Sequence, residues 1–253
     1  MPLLEAKNLG ISFGGLQALN DVHFVLGKGE IVGLIGPNGA GKTTVFNLLT
    51  EVYTPTEGEI ELEGNSIVGQ KTYKITQNGI ARTFQNIRLF KNISVIDNVK
   101  IAMNSQMKYT VMSGIFRLPS YWKEERRVTE KAHELLEVFG LDGFAESFAK
   151  NLPYGQQRKL EIARALATNP KVLLLDEPAA GMNPTETQEL METIKLIRDR
   201  FSVSILLIEH DMSFVMGICE NIVVLDYGKV IAVGTPDEVV HNPKVIAAYL
   251  GGE

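Results

Sequence analysis

At 253 residues, with 45% hydrophobic and 22% charged residues, the chain has the composition of a soluble α/β domain with room for a smaller inserted subdomain. No apolar run approaches the roughly 18 residues of a membrane-spanning helix, and the start Met1-Pro2-Leu3-Leu4-Glu5 lacks the basic and apolar regions of a secretion signal. A net charge of −5 leaves no basic footprint for nucleic acid or a lipid surface, and a single cysteine, Cys219, excludes an internal disulfide framework and fits a reducing compartment such as the cytoplasm.

The first segment, Leu3 to Val25, alternates apolar and polar residues and breaks at Gly14-Gly15, which predicts two antiparallel strands joined by a turn. Phe13, at that turn, reads either as a buried strand residue or as an aromatic that stacks on a base. The apolar run Ile31 to Ile35 predicts a strand that delivers Gly36-Pro37-Asn38-Gly39-Ala40-Gly41-Lys42-Thr43-Thr44, a fit to the phosphate-cradling pattern G-x-x-x-x-G-K-[ST]. Its glycines let backbone N–H groups turn inward on a phosphate chain, Lys42 reaches the terminal phosphates, and the Thr43 hydroxyl is placed for Mg²⁺. A helix from Lys42 to Leu49 adds the partial positive charge of its N-terminus. Glu59 to Glu63 alternates with period two and predicts a strand at a sheet edge.

Gly79 to Phe84 reads as a short strand that delivers Gln85 into a loop, where its amide oxygen would ligate Mg²⁺ or orient a water; a solvated glutamine is the other reading. Ser94 caps a helix with Val95, Val99 and Ala102 at helical spacing, and the stretch from about 87 to 160 is mostly helical in pattern. It holds Trp122 and the mixed charges Lys123, Glu124, Glu125, Arg126 and Arg127, read as a solvated helix face, while Met107 to Ser120 is too rich in Met and aromatics for a plain linker. Asn151 to Gln157 opens a helix that runs to about Thr168 with Leu160, Ala163 and Ala167 on one face. Val172 to Leu175 is fully apolar and ends in Asp176-Glu177, the pattern of a buried parallel strand with two carboxylates at its C-terminal edge. A helix begins at Asn183-Pro184 with Leu190, Ile194 and Ile197 as its core stripe, and the strand Val203 to Ile208 runs into Glu209-His210-Asp211. Ile222 to Leu225 and Val230 to Val233 form a hairpin around Asp226 to Lys229, and short helices follow from Gly234 to Glu238 and from Asn242-Pro243.

A phosphate loop followed by an apolar strand ending in Asp-Glu points to an ATPase or GTPase. Thr43 and Asp176 supply hard oxygen ligands for Mg²⁺, with Gln85 adding contact through water. Glu177, one residue beyond the metal ligand, orients or deprotonates the attacking water, and His210 holds that water or the γ-phosphate in line.

Taken in order, Gly36 to Thr44, Gln85, Leu152 to Gln156, Leu173 to Glu177, Ala180 to Asn183 and His210 resemble the motifs of the ATP-binding subunits of ABC transporters, over nearly the whole chain. The resemblance implies an α/β fold: a P-loop NTPase core of mainly parallel sheet, an N-terminal antiparallel β subdomain and an inserted α-helical subdomain. Residues 1–86 and 161–253 would form the core and residues 87–160 the helical subdomain. It implies ATP and Mg²⁺ as cofactors and a second ATPase subunit, identical or homologous, packed head to tail. Each ATP would then sit between one chain's Gly36, Asn38, Gly39, Ala40, Gly41, Lys42, Thr43 and Thr44 and the other's Tyr154, Gly155 and Gln156, with Phe13 stacked on adenine. Integral membrane permease subunits and, indirectly, a solute-binding protein would complete the assembly on the inner face of the membrane. The chain departs from the family pattern at Pro153 and Tyr154, where a serine and a glycine are usual, and at Asn183, where an aspartate is usual. The strings Arg82 to Phe90, Glu177 to Pro184 and Ile208 to Met212, the insertion around Met107 to Trp122 and the end Ala248-Tyr249-Leu250-Gly251 are similar to the LivG-type ATPases of branched-chain amino acid importers. The other functions in view are a urea or amide importer, a lipopolysaccharide exporter, a soluble ABC protein of translation or repair, and a P-loop kinase or GTPase.

Overall fold

Every residue of Ile31–Ile35, Val172–Asp176 and Ser204–Ile208 is buried, the pattern of strands covered on both faces rather than one. The computed structural model describes residues 2–106 and 116–250; residues 107–115, most of the Met- and aromatic-rich stretch, and 251–253 lie outside the described residues. In chain order the elements are β1 (Leu4–Phe13), β2 (Leu16–Leu26), β3 (Ile31–Ile35), α1 (Lys42–Leu49), β4 (Glu57–Leu62), β5 (Asn65–Ser66), α2 (Thr72–Asn78), β6 (Ile80–Arg82), α3 (Val95–Ala102), α4 (Pro119–Val138), α5 (Tyr154–Leu166), β7 (Val172–Asp176), α6 (Pro184–Phe201), β8 (Ser204–Ile208), α7 (Met212–Ile218), β9 (Asn221–Asp226), β10 (Lys229–Gly234), α8 (Pro236–Val240) and α9 (Pro243–Leu250). They divide into two units, Met1–Gln85 with Lys171–Glu253, and Asn86–Pro170.

The first unit holds a six-stranded sheet of order β10-β9-β3-β8-β7-β6 and a four-stranded sheet of order β2-β1-β4-β5. In the larger sheet β9, β3, β8, β7 and β6 are parallel and β10 closes one edge as the antiparallel arm of the predicted hairpin. The smaller sheet is antiparallel, with Phe13 opposite Leu16 at the glycine turn. Residues 59–63 were expected at its edge, but left-handed backbone at Glu63 (φ 52°) and Gly64 (φ 78°) folds the chain back so that β5 pairs outside β4. Val45, Phe46, Leu48 and Leu49 of α1 join one buried cluster with Leu4, Phe24 and Ile60 of the small sheet and Leu34, Leu174 and Leu206 of the large one. Burying each such side chain favours folding by about 1.5–3 kcal/mol, so the helix behind the phosphate loop is anchored on two sides.

Helix α6 starts where Asn183 and Pro184 predict. Glu186 N donates to Asn183 Oδ1 and Asn183 N donates to Glu186 Oε2, both at 3.0 Å, a reciprocal cap that accounts locally for the asparagine.

The second unit is helical. Ser94 Oγ accepts from Asp97 N at the start of α3, and α4 buries Val128, Ala132, Leu135 and Leu136 at helical spacing. Residues 149–151 form a 3₁₀ turn and α5 begins at Tyr154, later than the sequence pattern placed it, with Pro153 as an N-cap that has no side-chain acceptor. Leu160, Ile162, Ala163 and Leu166 are buried along one continuous helix, and Arg158 pairs with Glu161 at 2.9 Å inside it. The division between units therefore falls after Pro170 and not at 160/161, which would cut α5 in two.

Cys219 follows α7, and a Cβ built on Gly33 of β3 would stand 3.1 Å from its Sγ, so helix and strand are in close contact there. Burial pushes the thiol from 9.0 up to about 12, which lowers its thiolate fraction at pH 8 about a thousandfold. We predict that a thiol reagent labels the native protein at least about 100-fold more slowly than the urea-unfolded chain. Equal rates would show that α7 does not stay packed on β3.

Candidate nucleotide site

The phosphate loop follows β3, and its backbone explains its glycines. Gly36 has φ 148°, and a Cβ there would lie 2.0 Å from the carbonyl oxygen of Leu225, so no side chain fits. Gly39 (φ 81°) and Gly41 (φ 106°) hold the next two left-handed positions. The turn between β9 and β10 braces the loop from outside: Gly228 N donates to Ala40 O at 3.0 Å, and Asn20 N donates to Gly228 O at 2.8 Å. Gly41 caps α1 without a side chain, which leaves first-turn N–H groups for an anion. Lys42 Nζ donates to Gly36 O at 2.7 Å and Pro37 O at 2.9 Å. Burial lowers the Lys42 pKa, and the nearby Glu177 carboxylate opposes that shift.

Parallel strands present their following loops on one edge, and the order β3-β8-β7-β6 sets His210, Glu177 and Gln85 beside the phosphate loop. Residues 38–44 with Gln85, Glu177 and His210 line a cleft of about 230 Å³. Ligand clefts typically reach about 300–1,000 Å³, and this one, with the phosphate loop along one wall, is at the small end. Glu177 has left-handed backbone (φ 48°) and its N–H donates to Ile208 O at 2.9 Å, which turns its side chain into the cleft. Gln85 Nε2 donates to Glu177 Oε2 at 2.8 Å, and His210 Nε2 lies 2.8 Å from Oε1, a hydrogen bond in the tautomer that protonates this nitrogen.

Asp176 ends β7 and is buried, with Oδ2 accepting from Arg82 Nη2 at 2.9 Å. Among the described residues no donor is hydrogen-bonded to its Oδ1, and Thr43 stands exposed at the head of α1. Among the described residues no group of three or more His, Cys, Asp or Glu is placed to hold a metal ion. One carboxylate and one hydroxyl suit Mg²⁺, which keeps waters and takes phosphate oxygens for the rest of its shell.

Phe13 is neither buried nor in the cleft: it is 44% exposed at the end of β1, with its ring edge-on to Tyr53 at 5.1 Å. Tyr154, Gly155 and Gln156 form the first turn of α5 in the other unit; Tyr154 is exposed, Gly155 buried, and Gln156 Oε1 is buried without a hydrogen-bond partner. Two residues of this region were given no role in the sequence. Glu209 is buried and accepts from Ala179 N at 2.7 Å and His210 N at 3.1 Å, while burial raises its pKa against those bonds. Arg82 is the other, and a charge at the end of the apolar strand Ile80-Ala81 was the signal that it needed a buried partner.

A sequence profile of the ABC transporter family matches residues 19–180, and one described as branched-chain amino acid ATP-binding cassette transporter matches residues 229–253. The high-affinity branched-chain amino acid transport ATP-binding protein BraF of Pseudomonas aeruginosa is 47% identical over 250 residues, 99% of this chain and 98% of that one. LivG of Escherichia coli, described in the same words, is 48% identical with the same coverage. Among solved structures, an ATP-binding cassette of an ABC transporter in its ADP conformation superposes with a TM-score of 0.86 at 31% identity, covering 100% of both chains.

The loop geometry is testable with two glycines. Gly36→Ala should cost about 3 kcal/mol or more in urea unfolding and abolish nucleotide binding, because its Cβ meets a backbone carbonyl. Gly39→Ala, whose Cβ meets nothing within 4 Å, should cost only about 1–2 kcal/mol for its left-handed backbone. Equal costs would contradict the close approach at Leu225.

Proposed function

The chain belongs to the ABC transporter family as an ATP-binding subunit, and on that premise we propose that it hydrolyses ATP to drive import of branched-chain amino acids. The observation that carries the hydrolytic reading is the Glu177 carboxylate, held between Gln85 and His210 in the cleft beside the phosphate loop. The solute rests on the C-terminal profile at residues 229–253 and on what the two bacterial relatives are described as transporting.

In this reading the loop amides and Lys42 bind the phosphates, and Lys42 exchanges the carbonyls of Gly36 and Pro37 for phosphate oxygens. Thr43 and Asp176 would hold Mg²⁺, with Gln85 contributing, and the ion would supply neutralisation of the phosphate charge. Glu177 accepts the proton of the attacking water as its oxygen bonds to the γ-phosphorus and the bond to ADP breaks. Each Glu177 oxygen accepts one hydrogen bond in the structure and keeps a second lone pair, so the proton is taken without Gln85 or His210 letting go. His210 keeps Oε1 and holds the carboxylate in line.

The cleft is small and open on one side, which supports a two-chain site. We assign its other wall to the Tyr154-Gly155-Gln156 turn of a second ATPase subunit, identical or homologous, packed head to tail. Pro153 caps that helix without a donor, so the amides and the helix dipole, worth about 0.3–1 kcal/mol and up to about 2 when partly buried, carry the contact. Phe13, exposed beyond the cleft, is the surface we assign to adenine. Attachment to the membrane comes in this reading from permease subunits, with a solute-binding protein acting through them. No helix among the described residues is long and apolar enough to cross a bilayer.

The test is to purify the chain with its permease subunits, reconstitute them in liposomes with the solute-binding protein and measure ATP hydrolysis with and without leucine, isoleucine and valine. We expect stimulation by these solutes, and a fall of at least about 100-fold in kcat for Glu177→Gln, with ATP affinity within about threefold of the parent. Full turnover in Glu177→Gln would remove Glu177 as the base, and robust hydrolysis indifferent to all three solutes would overturn the substrate.

A further inference from the structure

Strand β6 ends in Arg82, whose side chain is 7% exposed, beside Asp176 at 6%. A guanidinium so far out of water needs its donors placed, and here they are divided between two elements. Nη2 donates to Asp176 Oδ2 at 2.9 Å, and Nη1 donates to Asn47 Oδ1 of α1 at 2.8 Å. The rings of Phe46 and Phe84 hold the guanidinium in place, with centroids 5.4 and 5.2 Å from its central carbon. Nε is buried without a partner. An ion pair kept for stability alone gains little over packed apolar side chains, and an orphaned N–H makes this one a poorer bargain still.

The fork has a second consequence. Asn47 lies four residues after Thr43, one turn along the same face of α1. Arg82 therefore spans the helix that carries Thr43 and the strand end that carries Asp176. It occupies Oδ2 of the carboxylate, and among the described residues no donor is hydrogen-bonded to Oδ1.

We propose that Arg82 is a positioning residue for the metal–nucleotide complex: its planar fork fixes the orientation of Asp176 relative to Thr43 and reserves Oδ1 for a divalent cation. This rests on the reading of Thr43 and Asp176 as the groups that hold Mg²⁺. A lysine would keep the charge but not the two-ended geometry, because an ammonium is a point charge on a flexible stem.

The test compares Arg82→Lys, which keeps the charge, and Asn47→Ala, which removes the half-buried 2.8 Å acceptor on α1 and leaves Nη1 only its long 3.5 Å contact with Thr50 Oγ1. Affinity for a fluorescent ADP is measured on the full chain in excess EDTA and across a Mg²⁺ titration, with folding checked by circular dichroism. We expect metal-free affinity within about twofold of the parent in both variants. The Mg²⁺ concentration for half-saturation should rise about tenfold in Arg82→Lys and about threefold in Asn47→Ala. Unchanged Mg²⁺ dependence in both, or an equal loss with and without metal, would overturn the proposal and leave Arg82 a structural residue. If Arg82→Lys does not fold, Asn47→Ala decides by the same criterion. A parent protein indifferent to Mg²⁺ would overturn the metal reading itself, an outcome separate from failure of the variants to differ.

Discussion

Asp176, Glu177 and Glu209 bring three carboxylates to the ends of the neighbouring strands β7 and β8, beside a loop shaped for a phosphate chain of the same sign. Like charges in partly buried surroundings repel, as the Glu177 charge does when it adds to the burial that raises the Glu209 pKa, so each carboxylate needs its own arrangement. Asp176 is paired with Arg82. Glu177 is held by an amide and an imidazole, which keep it oriented in the cleft. Glu209 accepts backbone N–H groups, and its raised pKa reflects how little water reaches it. Three neighbouring carboxylates thus have three environments, and that difference suits them to the tasks proposed for them: metal contact for Asp176, proton acceptance for Glu177 and, for Glu209, support of the turn that carries His210.

The scaffold makes this separation possible. Strand order places the phosphate loop, His210, Glu177 and Gln85 after β3, β8, β7 and β6 in sequence across the sheet, so residues far apart in the chain meet at one edge. The glycines at 36, 39 and 41 give the loop a backbone that a side chain would obstruct or strain. Helix α1, packed against both sheets, gives the loop and Asn47 a rigid base.

Much of this was legible in the sequence because local chemistry dictated it. The loop at Gly36 to Thr44, the uniformly apolar strands, the Asn183-Pro184 cap and the glycine hairpin each carry their structure within a few residues. What escaped depends on distant partners. Arg82 gained its meaning only when β6 paired with β7, and Glu209 only when its carboxylate met the amide of Ala179 thirty residues away. The expected boundary at 160/161 differs from that of the two compact units because periodicity continues through Leu160 without a break, and it is the contacts of α5 that group the whole helix with residues 86–170. Phe13 was ambiguous for a like reason: whether a turn aromatic is buried depends on what packs over it, and here it stays 44% exposed beside the edge of Tyr53.

If the carboxylates at the strand ends are arranged to receive a metal-bound triphosphate, removing the charge of Asp176 should alter the metal dependence of binding more than binding itself. The direct measurement is ATP affinity of the parent and of Asp176→Asn, each with and without Mg²⁺. The parent should bind ATP at least about tenfold more tightly with the metal, while Asp176→Asn should match it without metal and gain less than about twofold from Mg²⁺. A full Mg²⁺ gain retained in Asp176→Asn would contradict this account of the site.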